Sequence, residues 1–187
     1  MTIARLLKDA DGNAPKGLPP VHLWNPPFCG DIDMEIKRNG QWFYMGTPIG
    51  RPALVKLFSS VLRHDEDGSY YLVTPVEKVR IRVEDAPFLA TQVERCEENG
   101  VVYLKFTTQT GDQVSAGPEH PLRVVYRQSH RHGQEPSPYV HIRARLEALI
   151  SRGVYYQLVN WGEEGRVEGR PVLGVRSAGE FYVLGEL

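Results

Sequence analysis

The spacing of hydrophobic residues changes from the strand period to the helix period within one early stretch of the chain. From Asp31 to Lys37, apolar and charged residues alternate, which is typical of a strand with one buried face. Asn39-Gly40 follows and indicates a tight hairpin in which both central residues have positive φ, so residues 41–45 should return as the partner strand. Apolar residues at helical spacing then predict a helix from Pro52 to Leu62. Residues 70–73 read as a further strand.

A weaker copy of this pattern recurs near the C-terminus. When Arg51 is placed over Arg152, Leu57 falls on Leu158. Each copy then reads as a strand or hairpin, an arginine, a helix, and a glycine turn into an aromatic strand. Chance similarity of two amphipathic helices is the alternative, and the matched arginine favours the repeat. The sequence therefore predicts an α+β fold of two lobes, each built on a strand–strand–helix–strand core with mostly antiparallel sheets.

A breaker, Glu84-Asp85-Ala86-Pro87, suggests where the lobes meet. We expect an N-terminal lobe of residues 1–87 and a C-terminal lobe of residues 88–187. Asn99-Gly100 again indicates a hairpin. Residues 172–184 are predicted to form the final hairpin of the chain.

The middle of the second lobe allows two interpretations. A helix from Leu149 to Trp161 has Ser151 as a plausible N-cap, whereas the apolar spacing from Ile142 to Val159 nearly fits one longer helix. The polar segment 129–137 and the charged segment 163–170 are expected to be loops.

Composition narrows the class of protein. Of the 187 residues, 41% are hydrophobic and 24% charged, which is globular rather than disordered composition. The net charge of −1 gives no overall attraction to a nucleic-acid polymer or a membrane. The first ten residues are too short and too charged for a secretion signal, and residues 9–20 read as a linker. Two cysteines are too few for a disulfide framework, so we expect a cytoplasmic protein.

Candidate catalytic groups each have a simpler interpretation. Asp31 and Asp33 share a strand face and could bind a divalent cation or share a proton, but a solvated charged face is favoured. Cys29 has no neighbouring signature of a nucleophile and reads as structural. His130-Arg131-His132 could chelate a metal, but a polar loop is favoured. No catalytic residue, metal site or cofactor is predicted, which favours a binding protein over an enzyme.

The distribution of charged residues along the chain is more informative about function than these candidate catalytic groups. Residues 121–146 contain five arginines and a single acid, Glu135, in a chain that is almost neutral. Guanidinium groups recognise phosphate or carboxylate through two parallel hydrogen bonds, so this segment predicts an anion site. The alternative is that these arginines pair with acids of the first lobe, such as Glu77, Glu84 and Asp85.

Four segments resemble one bacterial family, catalogued as domain of unknown function 1285: WNPPFCGDIDMEI, GTPIGRPALVKLFSSVL, YYLVTPVEKVRI and TGDQVSAGPEHPLRV. The resemblance extends over nearly the whole chain. It implies a cytoplasmic bacterial protein with a duplicated core, whose second lobe superficially resembles a pleckstrin-homology-like β-fold. It also implies a nucleotide-like ligand in a cleft between the lobes and a role in signalling.

We therefore predict a regulatory protein that binds a phosphorylated or nucleotide-like small ligand between its lobes. A protein partner in signalling is a further expectation. Arginines would hold the phosphate, carboxylates would read hydroxyl or amino groups, and Trp24 or Tyr139 would stack a base. The predicted ligand-binding residues are Asp31, Asp33, Arg51, Glu119, His120, Arg123, Arg143 and Arg152. The alternatives are a metal-dependent hydrolase of a phosphorylated molecule, using Asp31 and Asp33, and a protein–protein adaptor.

Overall fold

The computed structural model describes residues 2–8, 17–131 and 133–187. Most of the predicted linker, together with His132 of the histidine-rich segment, lies outside the described residues. The chain divides into two compact units, Met1–Ala86 and Pro87–Leu187, and each unit is described by itself below.

The first unit places one helix against a mixed six-stranded sheet. Its helices are α1 (Ile3–Lys8) and α2 (Pro52–Ser60), with a short 3-10 turn at Val21–Leu23. Its strands are β1 (Phe28–Ile36), β2 (Trp42–Tyr44), β3 (Thr47–Pro48), β4 (Leu62–His64), β5 (Tyr70–Val73) and β6 (Lys78–Val83). The strand order is β3-β2-β1-β6-β5-β4. The β1–β6 pair is parallel and the other neighbours are antiparallel.

The alternation predicted for β1 is confirmed, because Met34 and Ile36 are fully buried while Asp31 and Asp33 are exposed. The hairpin into β2 is also confirmed, with Ile36 opposite Trp42. Its turn differs from the prediction, since Gly40 has a positive φ of 84° but Asn39 does not. The Gly40 amide donates to the Lys37 carbonyl. Only one left-handed residue, a glycine, is therefore needed in this turn.

Helix α2 covers the inner face of this sheet. Pro52 occupies its first turn, as predicted, and Leu54 and Phe58 face inward. The Phe58 ring is fully buried and stacks on Trp42 of β2, with ring centroids 6.2 Å apart. This aromatic contact fixes the helix on the sheet.

A charged group at the edge of the sheet holds the segment that precedes β1. Arg63 donates to the carbonyls of Val21 and Trp24 at 2.9 and 2.7 Å. Asp65 accepts from Arg63 at 2.6 Å and from Lys78 at 3.2 Å. Burial raises the pKa of Asp65, but the hydrogen bonds from Arg63 and Lys78 outweigh it, so the pKa of this carboxyl lies below its ordinary value.

The second unit has a second mixed six-stranded sheet, a helix, and a separate three-stranded sheet. Its elements are β7 (Phe88–Glu98), β8 (Val101–Thr108), β9 (Gln113–Ser115), β10 (Leu122–Ser129), β11 (Gly133–Arg143), β12 (Leu146–Ile150), α3 (Arg152–Asn160), β13 (Glu163–Val167), β14 (Arg170–Ser177) and β15 (Glu180–Glu186). The larger sheet has the order β10-β11-β12-β7-β8-β9, with β12 and β7 parallel, and β13–β15 form the smaller sheet.

The predicted duplication is seen as a shared order of elements, since β2-β3-α2-β4 and β11-β12-α3-β13 are both strand–strand–helix–strand. The arginine equivalence was wrong by one residue. Arg51 precedes α2 as its N-cap, whereas Arg152 is the first residue of α3, after the N-cap Ser151. The Ser151 hydroxyl accepts from the Val154 amide, so the predicted cap is confirmed.

The structure rules out one alternative and corrects three predictions in the second unit. The helix predicted from Leu149 to Trp161 spans only Arg152–Asn160, because Leu149 and Ile150 belong to β12. The long helix from Ile142 is wrong, because β12 lies between β11 and β7 and its largely apolar sequence is buried on both faces. The predicted loop at 129–137 is mostly the hairpin of β10 and β11. The predicted loop at 163–170 contains β13, which reaches β14 through a turn at Glu168-Gly169 where both residues have positive φ.

We expect Phe58→Ala to lower the free energy of unfolding by about 3–5 kcal/mol, because the cavity left opposite Trp42 removes a fully buried ring. Lys56→Ala, on the exposed side of the same helix, should change it by less than about 0.5 kcal/mol. Urea denaturation followed by tryptophan fluorescence measures both. Equal midpoints for the two variants would contradict this account of the core.

Asp65→Asn should destabilise the protein in a pH-dependent way. The pKa of Asp65 in the folded protein is below its ordinary value of 3.8, so its ionised form stabilises the fold above that pH and loses this effect as the pH falls through the folded pKa. We expect a loss of roughly 1–3 kcal/mol at pH 7 that shrinks below pH 3.8. Urea denaturation between pH 7 and pH values below 3.8 measures this loss. The control variant is Glu66→Gln, since Glu66 is an exposed neighbour. A difference that stays constant with pH would be evidence against the ion pair.

Candidate functional site

The two predicted aspartates lie on the exposed face of β1, and each is paired with an arginine of β6. Arg80 donates to both oxygens of Asp31 at 2.5 and 3.0 Å. Arg82 donates to Asp33 at 2.7 Å. The hydrogen bond from Arg80 lowers the pKa of Asp31. Asp31 and Asp33 therefore form two ion pairs on a solvent-exposed face, in agreement with the interpretation favoured from the sequence. The hydrolase alternative gains no support from these two aspartates.

A shallow depression lies on the same face of the first unit. It has a volume of about 280 Å³ and is lined by Asp33, Glu35, Lys37, Phe43, Gly46 and Arg82. Asp31 and Arg51 do not line it, and Arg51 is exposed just before α2. Its charged groups pair with one another, since Arg82 also approaches Glu35 at 3.5 Å and Lys37 contacts Glu35 at 3.1 Å.

In the second unit, strands β10, β11 and β12 present a denser group of polar side chains on one face. Tyr139 of β11 is opposite Arg123 of β10, and His141, two residues further along β11, is opposite Glu147 of β12. Because strand side chains alternate, these four residues point to the same side of the sheet.

Two guanidinium groups surround one buried ring on this face. Arg123 lies 4.5 Å from the centre of the Tyr139 ring and donates to both oxygens of Glu147, at 2.7 and 2.8 Å. Arg127 donates to the Tyr139 hydroxyl oxygen at 2.7 Å. Tyr139 is only 3% exposed. We call Arg123, Arg127, Tyr139 and Glu147 the arginine–tyrosine cluster. Its rigid ring sets the position of two cations at the surface.

A pair of histidines adjoins this cluster through the His141–Glu147 register. His120 ends the turn that begins at Gly117, and its Nδ1 lies 3.1 Å from the His141 carbonyl oxygen and 3.4 Å from His141 Nδ1. His141 Nε2 lies 2.7 Å from the Ala144 carbonyl oxygen. Sequence reasoning named His120 but missed His141, which shares the strand parity of Tyr139.

The remaining predicted residues of this unit do not join the cluster. Arg143 follows a register shift in β11, donates to Asp112 at 2.8 Å, and lies 5.0 Å from the Phe88 ring centre. Glu119 is exposed beside His120, and Arg152 is exposed at the start of α3. Of the predicted residues, the structure thus connects His120 and Arg123, by way of His141 and Glu147.

Some partners of these arginines and of the first-unit acids lie within their own units. The acids that Arg123 and Arg143 meet, Glu147 and Asp112, belong to their own unit. The proposed acids of the first unit have local partners, since Glu77 accepts from the Ile3 amide, Glu84 from the Arg38 amide, and Asp85 pairs with Arg38. Base stacking on Tyr139 would also require the guanidinium of Arg123 to leave the ring.

Two kinds of feature are absent from the described residues. No group of three or more of their histidine, cysteine, aspartate and glutamate side chains is placed to hold one metal ion. Of the helices in that part of the chain, none combines the length and the apolar character that crossing a membrane demands.

Two family models together match residues 19–184 of the chain. Residues 19–86 match "Domain of unknown function (DUF1285), N-terminal domain", and residues 87–184 match "Protein of unknown function (DUF1285), C-terminal domain". None of the curated proteins compared with the chain is significantly similar to it.

Two crystal structures of DUF1285 family proteins are similar to the chain. The protein from Silicibacter pomeroyi DSS-3 is 52% identical, with a TM-score of 0.84, over 97% of this chain and 95% of that one. The protein from Shewanella baltica OS155 is 32% identical, with a TM-score of 0.50, over 68% of this chain and 90% of that one.

Proposed function

This chain belongs to the DUF1285 family, and we propose that it binds a small phosphorylated ligand, nucleotide-like in kind, on the arginine–tyrosine cluster. The binding is regulatory rather than catalytic. The single observation that carries the proposal is the placement of Arg123 and Arg127 around one buried tyrosine.

The geometry of the cluster suits a phosphate group. A guanidinium donates two parallel hydrogen bonds to a carboxylate and can do the same to a phosphate. Arg123 already uses this geometry with Glu147. The pair is half exposed, with 52% of the arginine side chain and 32% of the glutamate side chain accessible. Such pairs contribute at most about 1 kcal/mol, so a phosphate of higher charge can displace the glutamate.

Arg127 supplies the second cation. It donates to a neutral phenol oxygen, and a hydrogen bond from a guanidinium to an anion is stronger than one to a neutral acceptor. A phosphate shared by Arg123 and Arg127 would gain charge-assisted hydrogen bonds from two guanidinium groups. Tyr139 stays in place beneath both, because it is buried.

The other predicted residues of the second unit, Glu119, His120, Arg143 and Arg152, are secondary candidates for contacts with the rest of the ligand. For Asp31, Asp33 and Arg51 of the first unit, ligand binding remains a prediction from the sequence.

The proposed regulatory role rests on an exchange of partners at Arg123, from Glu147 to the ligand. Ligand binding would release Glu147 from Arg123 and so change what β12 presents at the surface. A ligand shifts a protein between states only by such a difference in contacts. The free thiols of Cys29 and Cys96 fit a reducing compartment, and we place the protein in the cytoplasm.

Calorimetric titration with inorganic phosphate, AMP and cyclic AMP tests the site. We expect at least one of these probes to bind, and the double variant Arg123→Ala/Arg127→Ala to bind it about tenfold more weakly or worse. The matched control is Arg176→Ala, because Arg176 also pairs with a carboxylate, Glu163 at 2.5 Å, and lies 5.2 Å from an aromatic ring centre, that of Phe181. The control should bind like the wild type. Equal losses in both variants, or no binding by the wild type, would refute the proposal.

Glu147→Gln should strengthen anion binding by up to about fivefold, because the anion no longer competes with a carboxylate for Arg123. The same titration measures this change, and its control is Glu163→Gln at the Arg176 pair. Weaker binding by Glu147→Gln would mean that Glu147 contacts the ligand rather than competing with it.

A further inference from the structure

We infer that His120 and His141 form a binding site for one divalent transition-metal ion of the zinc class. This site adjoins the arginine–tyrosine cluster and shares His120 with the secondary candidates for ligand contact, but it does not depend on phosphate binding. The observation behind it is the approach of two imidazole nitrogens, His120 Nδ1 and His141 Nδ1, to 3.4 Å.

This separation matches the distance between two ligands of one metal ion. Zinc binds imidazole nitrogen at about 2.0–2.1 Å in tetrahedral geometry, which places neighbouring ligand atoms about 3.3–3.4 Å apart. The two rings are tilted by 30°, with centroids 5.4 Å apart, so they do not stack and their edges approach each other. An ion between them would need no change in the nitrogen–nitrogen distance.

The hydrogen bond made by His141 Nε2 leaves a lone pair on His141 Nδ1, which a metal ion requires of its ligand. A carbonyl oxygen cannot donate, so the Nε2 that lies 2.7 Å from the Ala144 carbonyl must carry the proton. The neutral ring then has an unprotonated Nδ1 that faces His120. A ring N–H donated to a backbone carbonyl is also the usual support of a metal-binding histidine.

The Ala144 carbonyl is held in an uncommon backbone conformation. Ala144 has a φ of +46°, a region that residues other than glycine rarely adopt. The conformation belongs to the tight connection between β11 and β12, and it aims the carbonyl at the His141 ring.

His120 would change tautomer when the ion binds. Without metal, its Nδ1–H can donate to the His141 carbonyl oxygen at 3.1 Å and to His141 Nδ1. With metal, the proton resides on Nε2 and Nδ1 becomes a ligand. A neutral His120 thus keeps its single proton, and binding needs no acid, base or redox partner.

The class of metal follows from the ligand type. Imidazole suits zinc, copper and nickel, whereas magnesium and calcium prefer oxygen. The nearby acids are Glu119, next to His120 in sequence, and Glu147, which Arg123 holds. No third histidine, cysteine or carboxylate of the described residues converges with the pair. Water would therefore fill the remaining two positions, one more than in a catalytic zinc site with three protein ligands.

Calorimetric titration of the untagged full chain with zinc chloride, in phosphate-free buffer, tests the site. We expect one equivalent to bind, and His120→Ala and His141→Ala each to weaken binding about tenfold or more. His64→Ala and His130→Ala are the controls, one on the first unit and one in the hairpin turn between β10 and β11, and neither should change the binding. One equivalent that persists without either His120 or His141, or no binding by the wild type, would overturn the inference.

Imidazole nitrogen NMR of the wild type separates the metal site from a simple hydrogen bond without any substitution. We expect zinc to move the His120 proton from Nδ1 to Nε2 and to leave the His141 proton on Nε2. An unchanged His120 tautomer at saturating zinc would overturn the inference. Because these measurements contain no phosphate, their failure would leave the anion site untouched, and failure of phosphate binding would leave the metal site untouched.

Discussion

The alternation of side chains along β11 is the constraint on which the second unit depends. Tyr139 and His141 have the same parity, so one face of the strand carries both, and the neighbouring registers add Arg123 and Glu147. A slip of one residue would turn this whole group to the opposite face. The apolar residues of β12 prevent the slip, because Ala148, Leu149 and Ile150 are buried where β12 pairs with β7. Packing in the sheet and chemistry at its surface are therefore set by one register.

The two units share one feature of sheet topology and differ in the rest. Each contains one parallel pair inside an otherwise antiparallel sheet, β1 with β6 and β12 with β7. In the first unit, the strands after the helix return to the same sheet, whereas β13–β15 form a sheet of their own. The charged faces differ as well. The arginines that pair with Asp31 and Asp33 are about as exposed as Arg123. Arg123 differs because its guanidinium lies over the ring of the buried Tyr139. A buried platform distinguishes a positioned cation from an ordinary surface pair.

Local signals in the sequence predicted the fold better than the site. Alternation identified β1, proline and apolar spacing identified α2, and Ser151 marked the start of α3, because each signal acts within a few residues. The long helix from Ile142 failed because the run of apolar residues in β12 has no period that distinguishes a buried strand from a helix. Arg123 and His120 were named as candidates from charge and residue type. Their partners Glu147 and His141 were missed, since only the pairing of β10, β11 and β12 brings residues this far apart in sequence together.

The parallel pairs also set the order in which the chain can fold. Strand β1 finds its inner partner only when β6 exists, with Asp31 beside Arg80, and β7 must wait for β12, with Phe88 beside Ala148. Closing such long loops costs entropy before any contact repays it. The hairpins can form early, but during synthesis on the ribosome the first strand of each sheet stays without its inner neighbour until most of that unit has emerged. Both β1 and β7 thus have an unpaired edge in the nascent chain, and such an edge can pair with a strand of another chain.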